Sequence, residues 1–388
     1  MKTVWSLTLV MVFATASLGA SEPARAQGLS SDPLLASFQT IVDDFNDNNL
    51  DTFVSAVDQQ ALLGSIFSER LIDARVKDGL KDTFATDLKR LYVDAFKGVD
   101  GEILGKIVGF RSDGSSATAV VRFDLPRYKF IYHEFDLRAG TRNRVRIMDW
   151  VDFNKGERFS DAFGEMLVTV IADDDATRSI LRPLVLTDPE AFQTSELLKA
   201  ARDGKQQRYF DILSGLDERI REHQQVALLS LQMARQSKDR KTYQEALTVL
   251  VENYATEPLY SMTLLDYYLP RGNHQAALEA LLRLGDRLGV EDPALKSQIA
   301  TLSLIVGNVD DASTYAEAAV AEEPELELAW WAALRSRTAK ERYDEAVEAL
   351  GVLEDRFGHK LRTTALEKDK LLARLMETEQ FKAWSEAE

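Results

Sequence analysis

The sequence predicts two parts: an α+β domain with helices ahead of a curved antiparallel sheet, then an all-α array of helical hairpins. Three observations carry this. Apolar residues recur at helical spacing between Leu34 and Lys97. From Gly101 the period switches to two, in four runs separated by turn residues. In the second half, a bulky residue followed three positions later by a partner returns at Tyr243, His274, Val309, Tyr343 and Phe381, with spacings of 31, 35, 34 and 38 residues.

The 388-residue chain opens "MKTVWSLTLVMVFATASLGASEPARAQG". Lys2 gives a positive start, and the apolar run Val4 to Leu18 is too short for an ordinary membrane span. "ARA" stands before Gln27, so residues 1–26 read as a secretory signal peptide cleaved after Ala26. That places the mature chain in the periplasm or outside the cell. With no cysteine, neither a disulfide framework nor a lipid-modified cysteine is available. The net charge of −16 opposes binding to nucleic acid or anionic lipid by bulk charge.

Residues 27–172 hold the α+β part. Asp32 is placed to cap a helix with Pro33 at its first position, and Leu34, Phe38, Ile41, Val42 and Phe45 form its apolar stripe. "NDNN" ends that helix and Asp51 is placed to cap the next. Leu80, Phe84, Leu88, Leu91, Tyr92 and Phe96 form the stripe of a longer one. "EILGKIVGF", "SATAVVRFDL", "YKFIYHEFDL" and "RVRIMDWVDF" are the strands, and a helical tail runs from Asp161 to about Ile171. Residues 173–194 read as a linker or connecting helix, and residues 195–388 as the repeats.

The repeats resemble the tetratricopeptide repeat. Its small residues fall where Ala277, Ala312 and Ala346 stand, its helix-ending proline matches Pro324, and its first-helix tryptophan matches Trp330. That resemblance implies a concave surface for a protein or peptide partner, with Tyr260, Tyr267, Trp330 and Trp331 as its candidate binding residues. The first half is similar, in its order of elements, to the nuclear transport factor 2-like (ketosteroid-isomerase-like) fold. "DDFNDNNLDTFVSAVDQQALLGSIF" looks like its opening helices and "VRIMDWVDFNKGERFSDAF" like its last strand and tail. The resemblance implies a bent sheet closing a cone. "YHEFDL" and "VRIMDW" are similar to strings in secreted bacterial proteins that join such a module to tetratricopeptide repeats, a family without an assigned activity.

Strand alternation puts His133 with Ile131, Phe135 and Leu137, and Asp149 with Val145, Ile147, Val151 and Phe153. Each apolar face therefore carries one ionisable residue. A facing His133/Asp149 pair is either a structural pair or, as in enzymes of the cone fold, an acid–base site. Tyr128, Phe130, Tyr132 and Trp150 are candidates for lining an apolar pocket inside the cone, or for ordinary packing. "DDFNDNNLD" fails as a calcium loop, because Asn49 and Ser55 stand where glycine and glutamate are required. Asp173, Asp174 and Asp175 read as a solvated run, and His223, His274 and His359 are too dispersed for a zinc signal. No metal or cofactor is expected. The leading expectation is a non-enzymatic periplasmic interaction scaffold. The alternatives are a carrier of an apolar small molecule or lipid in the cone, and an enzyme using His133 and Asp149.

Overall fold

The computed structural model describes residues 32–68, 72, 74–95, 101–126, 128–141, 144–171, 174–361 and 366–386. The leader, Phe96 and Asp173 lie outside these.

Helix α1 (Pro33–Asn46) starts as its sequence dictates, with the Asp32 carboxylate accepting the Leu34 amide at 2.8 Å and proline in the first turn. In α2 (Asp51–Ala56) the cap position is Leu50, and Asp51 is already in the first turn. Helix α3 (Gln59–Phe67) is capped by Asp58, which accepts the Ala61 amide at 3.0 Å. The long α4 (Ala74–Ala95) buries Phe84, Leu88 and Tyr92.

The sheet is an antiparallel meander, β1 (Leu104–Ser112), β2 (Ser116–Leu125), β3 (Lys129–Ala139), β4 (Val145–Asp152) and β5 (Glu157–Arg158), in that spatial order. Its register shifts twice, between Ile107 and Gly109 on β1 and opposite Asp136/Leu137 on β4. The second shift matters most. Leu137 faces Ile147 but Asp136 faces Asp149, so Met148 is an extra residue and the pleat changes phase there. Val145 and Ile147 point toward the helices, as does Trp150, whereas Val151 and Phe153 point to the opposite face. The single face expected for Val145, Ile147, Asp149, Val151 and Phe153 is therefore split.

Helix α5 (Phe159–Ile171) packs against α3 and β4, and with α1–α4 it covers the inner face of the sheet. The expected linker is helical: α6 (Asp174–Ile180) and α7 (Asp188–Arg202), the latter opened by a Thr187/Glu190 capping box. There follow α8 (Gln206–Gly215), α9 (Glu218–Arg221), α10 (Gln224–Ser237), α11 (Arg240–Tyr254), α12 (Ser261–Tyr268), α13 (His274–Leu288), α14 (Pro293–Ile305), α15 (Val309–Glu322), α16 (Glu327–Ala339), α17 (Tyr343–Asp355), α18 (Lys370–Met376) and α19 (Glu379–Glu386). From α10 to α17 each helix packs on the next. Ala277, Ala312 and Ala346 are fully buried, at the positions where a larger side chain would force neighbouring helices apart. Among the described residues no helix is long and apolar enough to cross a membrane.

The two cores share the sheet. On its inner face Phe38, Phe53, Phe84, Phe123, Phe135 and Trp150 belong to one cluster. On its outer face Val120, Phe130, Tyr132, Val151 and Phe153 join Tyr260, Leu264, Leu281, Leu284, Leu288 and Leu295 of the helical half. Both faces of the central strands are buried. An antiparallel sheet more often leaves one face to water.

Candidate functional site

The outer face of the sheet is fastened to helix ends of the second half by charge as well as by packing. Arg122, in the middle of β2, is 0% exposed. Its Nη1 donates to Asp292 at 2.6 Å and to Glu323 at 3.1 Å, and its Nη2 donates to Glu323 at 2.9 Å. Nε and Nη2 also reach Asp124, at 2.8 and 3.0 Å. Asp292 caps α14 by accepting the Leu295 amide at 3.1 Å, and it accepts the Tyr132 hydroxyl as well. Lys106 adds an ion pair to Glu323 at 2.8 Å. Burial opposes the guanidinium charge, but Asp292, Glu323 and Asp124 outweigh it and raise its pKa.

A second fastening sets Glu134 of β3 against Arg287 of α13 at 2.6 and 2.9 Å, with Arg111 at 3.7 Å. Arg111 Nη1 also donates to the Leu288 carbonyl at 2.8 Å. At the β2–β3 turn, Tyr128 stands at φ 61° and donates to Glu327, which also accepts from His359 and, at 3.1 Å, from Trp331 Nε1. Gly109 and Gly156 permit close approach. A Cβ on Gly109 would collide with Val290 Cγ1, and one on Gly156 would lie 2.5 Å from the Tyr260 ring.

Beside these fastenings a cleft of about 1370 Å³ opens between the sheet's outer face, α3, α5 and the helical half. Asp136, Arg138, Asp149, Glu157, Arg158 and Ser160 line it from the first half, and Gln224, Gln225, Leu228, Leu259 and Arg287 from the second. Asp149 accepts the Ser160 hydroxyl at 2.6 Å, the Ser160 amide at 3.2 Å and the Trp150 amide at 2.9 Å, so it secures the first turn of α5. Burial pushes its carboxyl pKa up, against the pull of Ser160, the Trp150 amide and Arg158. Arg158 joins Asp136 and, at 3.4 Å, Asp149. Glu157 differs: among the described residues its carboxylate has no hydrogen bond or ion pair. Burial pushes it up to about 7, with Lys155 opposing and Asp152 adding to the rise.

His133 and Asp149 do not meet. The extra residue Met148 turns Asp149 to the outer face, opposite Asp136. His133 lies on the inner face, with its Nε2 3.7 Å from Asp152 and its Nδ1 3.5 Å from the Tyr92 hydroxyl. Its ring lies among Phe123, Tyr92 and Phe135 at 5.0, 6.0 and 6.0 Å. Burial acts to raise the Asp152 carboxyl pKa, but His133 and Lys155 hold it well below the usual carboxylate range.

The four aromatic residues expected in one pocket are also dispersed. Trp150 is in the inner core, stacked on Phe159 at 4.1 Å. Phe130 and Tyr132 face the helical half, and Tyr128 is 42% exposed. Of the expected groove residues, Tyr260 is buried at the junction and accepts from Gln224. Tyr267 is half-buried under Arg271, whose guanidinium carbon lies 3.6 Å from the ring centroid. Trp330 donates to the Pro324 carbonyl at 2.8 Å, and both tryptophans pack on the α16–α19 cluster. Sequence reading passed over Arg122, Glu157, Gln225 and Asp292. The signal for Arg122 was present, since a lone arginine in "AVVRFDL" breaks an apolar strand.

No family model matches the chain, and no curated protein matches it. Among solved structures, a chain of MamA (AMB-1) aligns at 14% identity with a TM-score of 0.32, over 45% of this chain and 94% of that one. At that score the likeness carries no argument about fold or function.

Proposed function

We propose that the protein is a non-enzymatic interaction scaffold, exported through its N-terminal leader, that receives a segment of a partner protein in the cleft between its halves. The size and make-up of the cleft carry the reading. At about 1370 Å³ it exceeds the roughly 300–1,000 Å³ of small-molecule sites, and both halves supply its walls. The buried ion pairs at the junction hold those walls in one relation. Neighbour-on-neighbour helices with small residues at their contacts support the tetratricopeptide-type reading of the second half, which presents helix ends and grooves to polypeptides. Tyr267 and Trp331, half-buried beneath Arg271 and Arg335, extend the contact surface.

Carriage of an apolar ligand inside the first half is disfavoured by its own aromatic packing. Phe53 stacks on Tyr92 at 4.2 Å and meets Trp150 at 5.7 Å and Phe135 at 6.3 Å. The test is a photo-crosslinking amino acid at Met148 in the cleft, compared with one at Leu282 on α13. A partner captured from position 148 and not from 282 supports the scaffold. Equal capture from both, or none from either, refutes it.

A further inference from the structure

We propose that the partner segment delivers a positively charged side chain, lysine or arginine, to Glu157 and Gln225 in the junction cleft. This inference rests on the scaffold reading and names the chemistry of its ligand. The other ionic groups of the cleft wall are largely satisfied within the protein. Arg158 is matched by Asp136 and Asp149, Arg287 and Arg111 by Glu134, and Asp113 by the amides of Ser115 and Ser116. Two acceptors in the same cleft are not. The Glu157 carboxylate makes no hydrogen bond or ion pair among the described residues, and Gln225 Oε1 is buried without a partner. Gln225 Oε1 is a buried acceptor without a donor, which costs stability, and the half-buried Glu157 carboxylate has no cation in contact; both would gain from the same kind of visitor. An ammonium brings three N–H donors and a guanidinium five, together with a cation in direct contact, which neither Lys155 nor Arg235 supplies.

The charges around Glu157 allow this. Lys155 and Arg235 attract its carboxylate from two elements, Asp152 and Asp161 repel it, and the Tyr260 hydroxyl stands close enough to feel it. Burial favours its neutral form, so an incoming cation would stabilise the charged one. Arg138 and Arg182, also on the cleft wall and exposed, oppose a polybasic run. The segment that fits carries one basic residue among neutral or acidic ones.

The test uses the full chain and an array of fluorescein-labelled octapeptides, each with a single lysine or arginine, read by fluorescence polarisation. Each has a counterpart with norleucine at that position. The expected result is a subset that binds and weakens about tenfold or more on norleucine replacement. The same peptides weaken about tenfold on Glu157→Gln and less on Gln225→Leu, both checked for unchanged melting cooperativity. Glu348→Gln, an equal charge change on exposed α17 surface, leaves binding unchanged and separates the site from bulk attraction to an acidic protein. Binding that ignores norleucine or Glu157→Gln overturns the proposal. Absence of octapeptide binding while position 148 still captures a partner also overturns it, and leaves the scaffold standing. Failure of capture removes the scaffold itself.

Discussion

Replacing Arg122 with methionine tests how the two halves are held together. The guanidinium is fully buried and meets three carboxylates, Asp292 at 2.6 Å, Glu323 at 2.9 Å and Asp124 at 2.8 Å. Methionine fills part of the volume but leaves the Asp292 carboxylate, itself 0% exposed, without its cation. Removing one partner of a buried pair costs about 3–5 kcal/mol, because the survivor stays buried and charged. Here the loss falls toward the lower end. Asp292 keeps the Tyr132 hydroxyl and Leu295 amide, and Glu323 keeps Lys106. Roughly 3 kcal/mol corresponds to a fall in Tm of about 4 °C for a chain of 388 residues that unfolds as one unit. Urea unfolding and calorimetry at pH 7 measure it, and the loss should change little between low and high salt, since buried pairs are poorly screened. Arg122→Met combined with Asp292→Asn should cost less than the two single losses added, by about 2 kcal/mol. The pH dependence has a fixed sign. Arg122 and Lys106, against the opposing effect of burial, hold Glu323 below the usual carboxylate range. Its contribution is therefore complete above the unfolded value near about 4.3 and is lost as pH falls through the depressed one. A cost under about 1 kcal/mol, the range of surface pairs, or strict additivity of the two replacements, would refute a buried, coupled junction.

Glu157→Gln should stabilise the chain at pH 8 by roughly 1–3 kcal/mol and have little effect near pH 4. With its folded pKa raised to about 7, the native carboxyl is favourable below its unfolded value, and that benefit is lost as pH rises. Melting curves across that range check it, and a destabilised variant at pH 8 would contradict it. His133→Ala should cost about 2–4 kcal/mol and move the Asp152 carboxyl upward, read by carbon NMR titration. An unmoved Asp152 would show that His133 is not its counter-charge. Gly109→Ala should cost about 1–3 kcal/mol through collision with Val290, and Val290→Ala should recover much of it. Equal losses in both backgrounds would mean that the close approach is not what constrains Gly109.

Where local chemistry decides structure, the sequence was legible. Asp32 and Pro33 start α1, β2 spans the residues of its alternating run, and Ala277, Ala312 and Ala346 are buried as helix contacts require. What was missed depends on residues far apart or on an irregularity without a residue signature. Met148 is an ordinary residue in a strand pattern, yet the register shift there reverses the pleat and separates Asp149 from His133. Alternation assumes that no residue is inserted, so one bulge invalidates every face assignment after it. The lone arginine of "AVVRFDL" marks Arg122 as unusual, but alternation by itself places it on an outward face and says nothing of its partner. It is buried because Asp292, 170 positions later, closes over it.

The position of these charges explains why the junction is ionic. The outer face of the sheet carries apolar residues enough to pack, among them Val120, Phe130, Tyr132, Val151 and Phe153. Apolar contact alone tolerates sliding, since its energy depends on area and little on direction. Arg122 and Glu134 act otherwise: each meets its partner across the junction through two nitrogen–oxygen pairs, a geometry lost on small displacement. Such pairs add less net stability than an apolar replacement of equal volume, but they select one docking among many. For a cleft whose walls come from both halves, that selection sets the position of Glu157 on β5 relative to Gln225 on α10. Loss of Arg122 should then disturb recognition in the cleft before it unfolds either half.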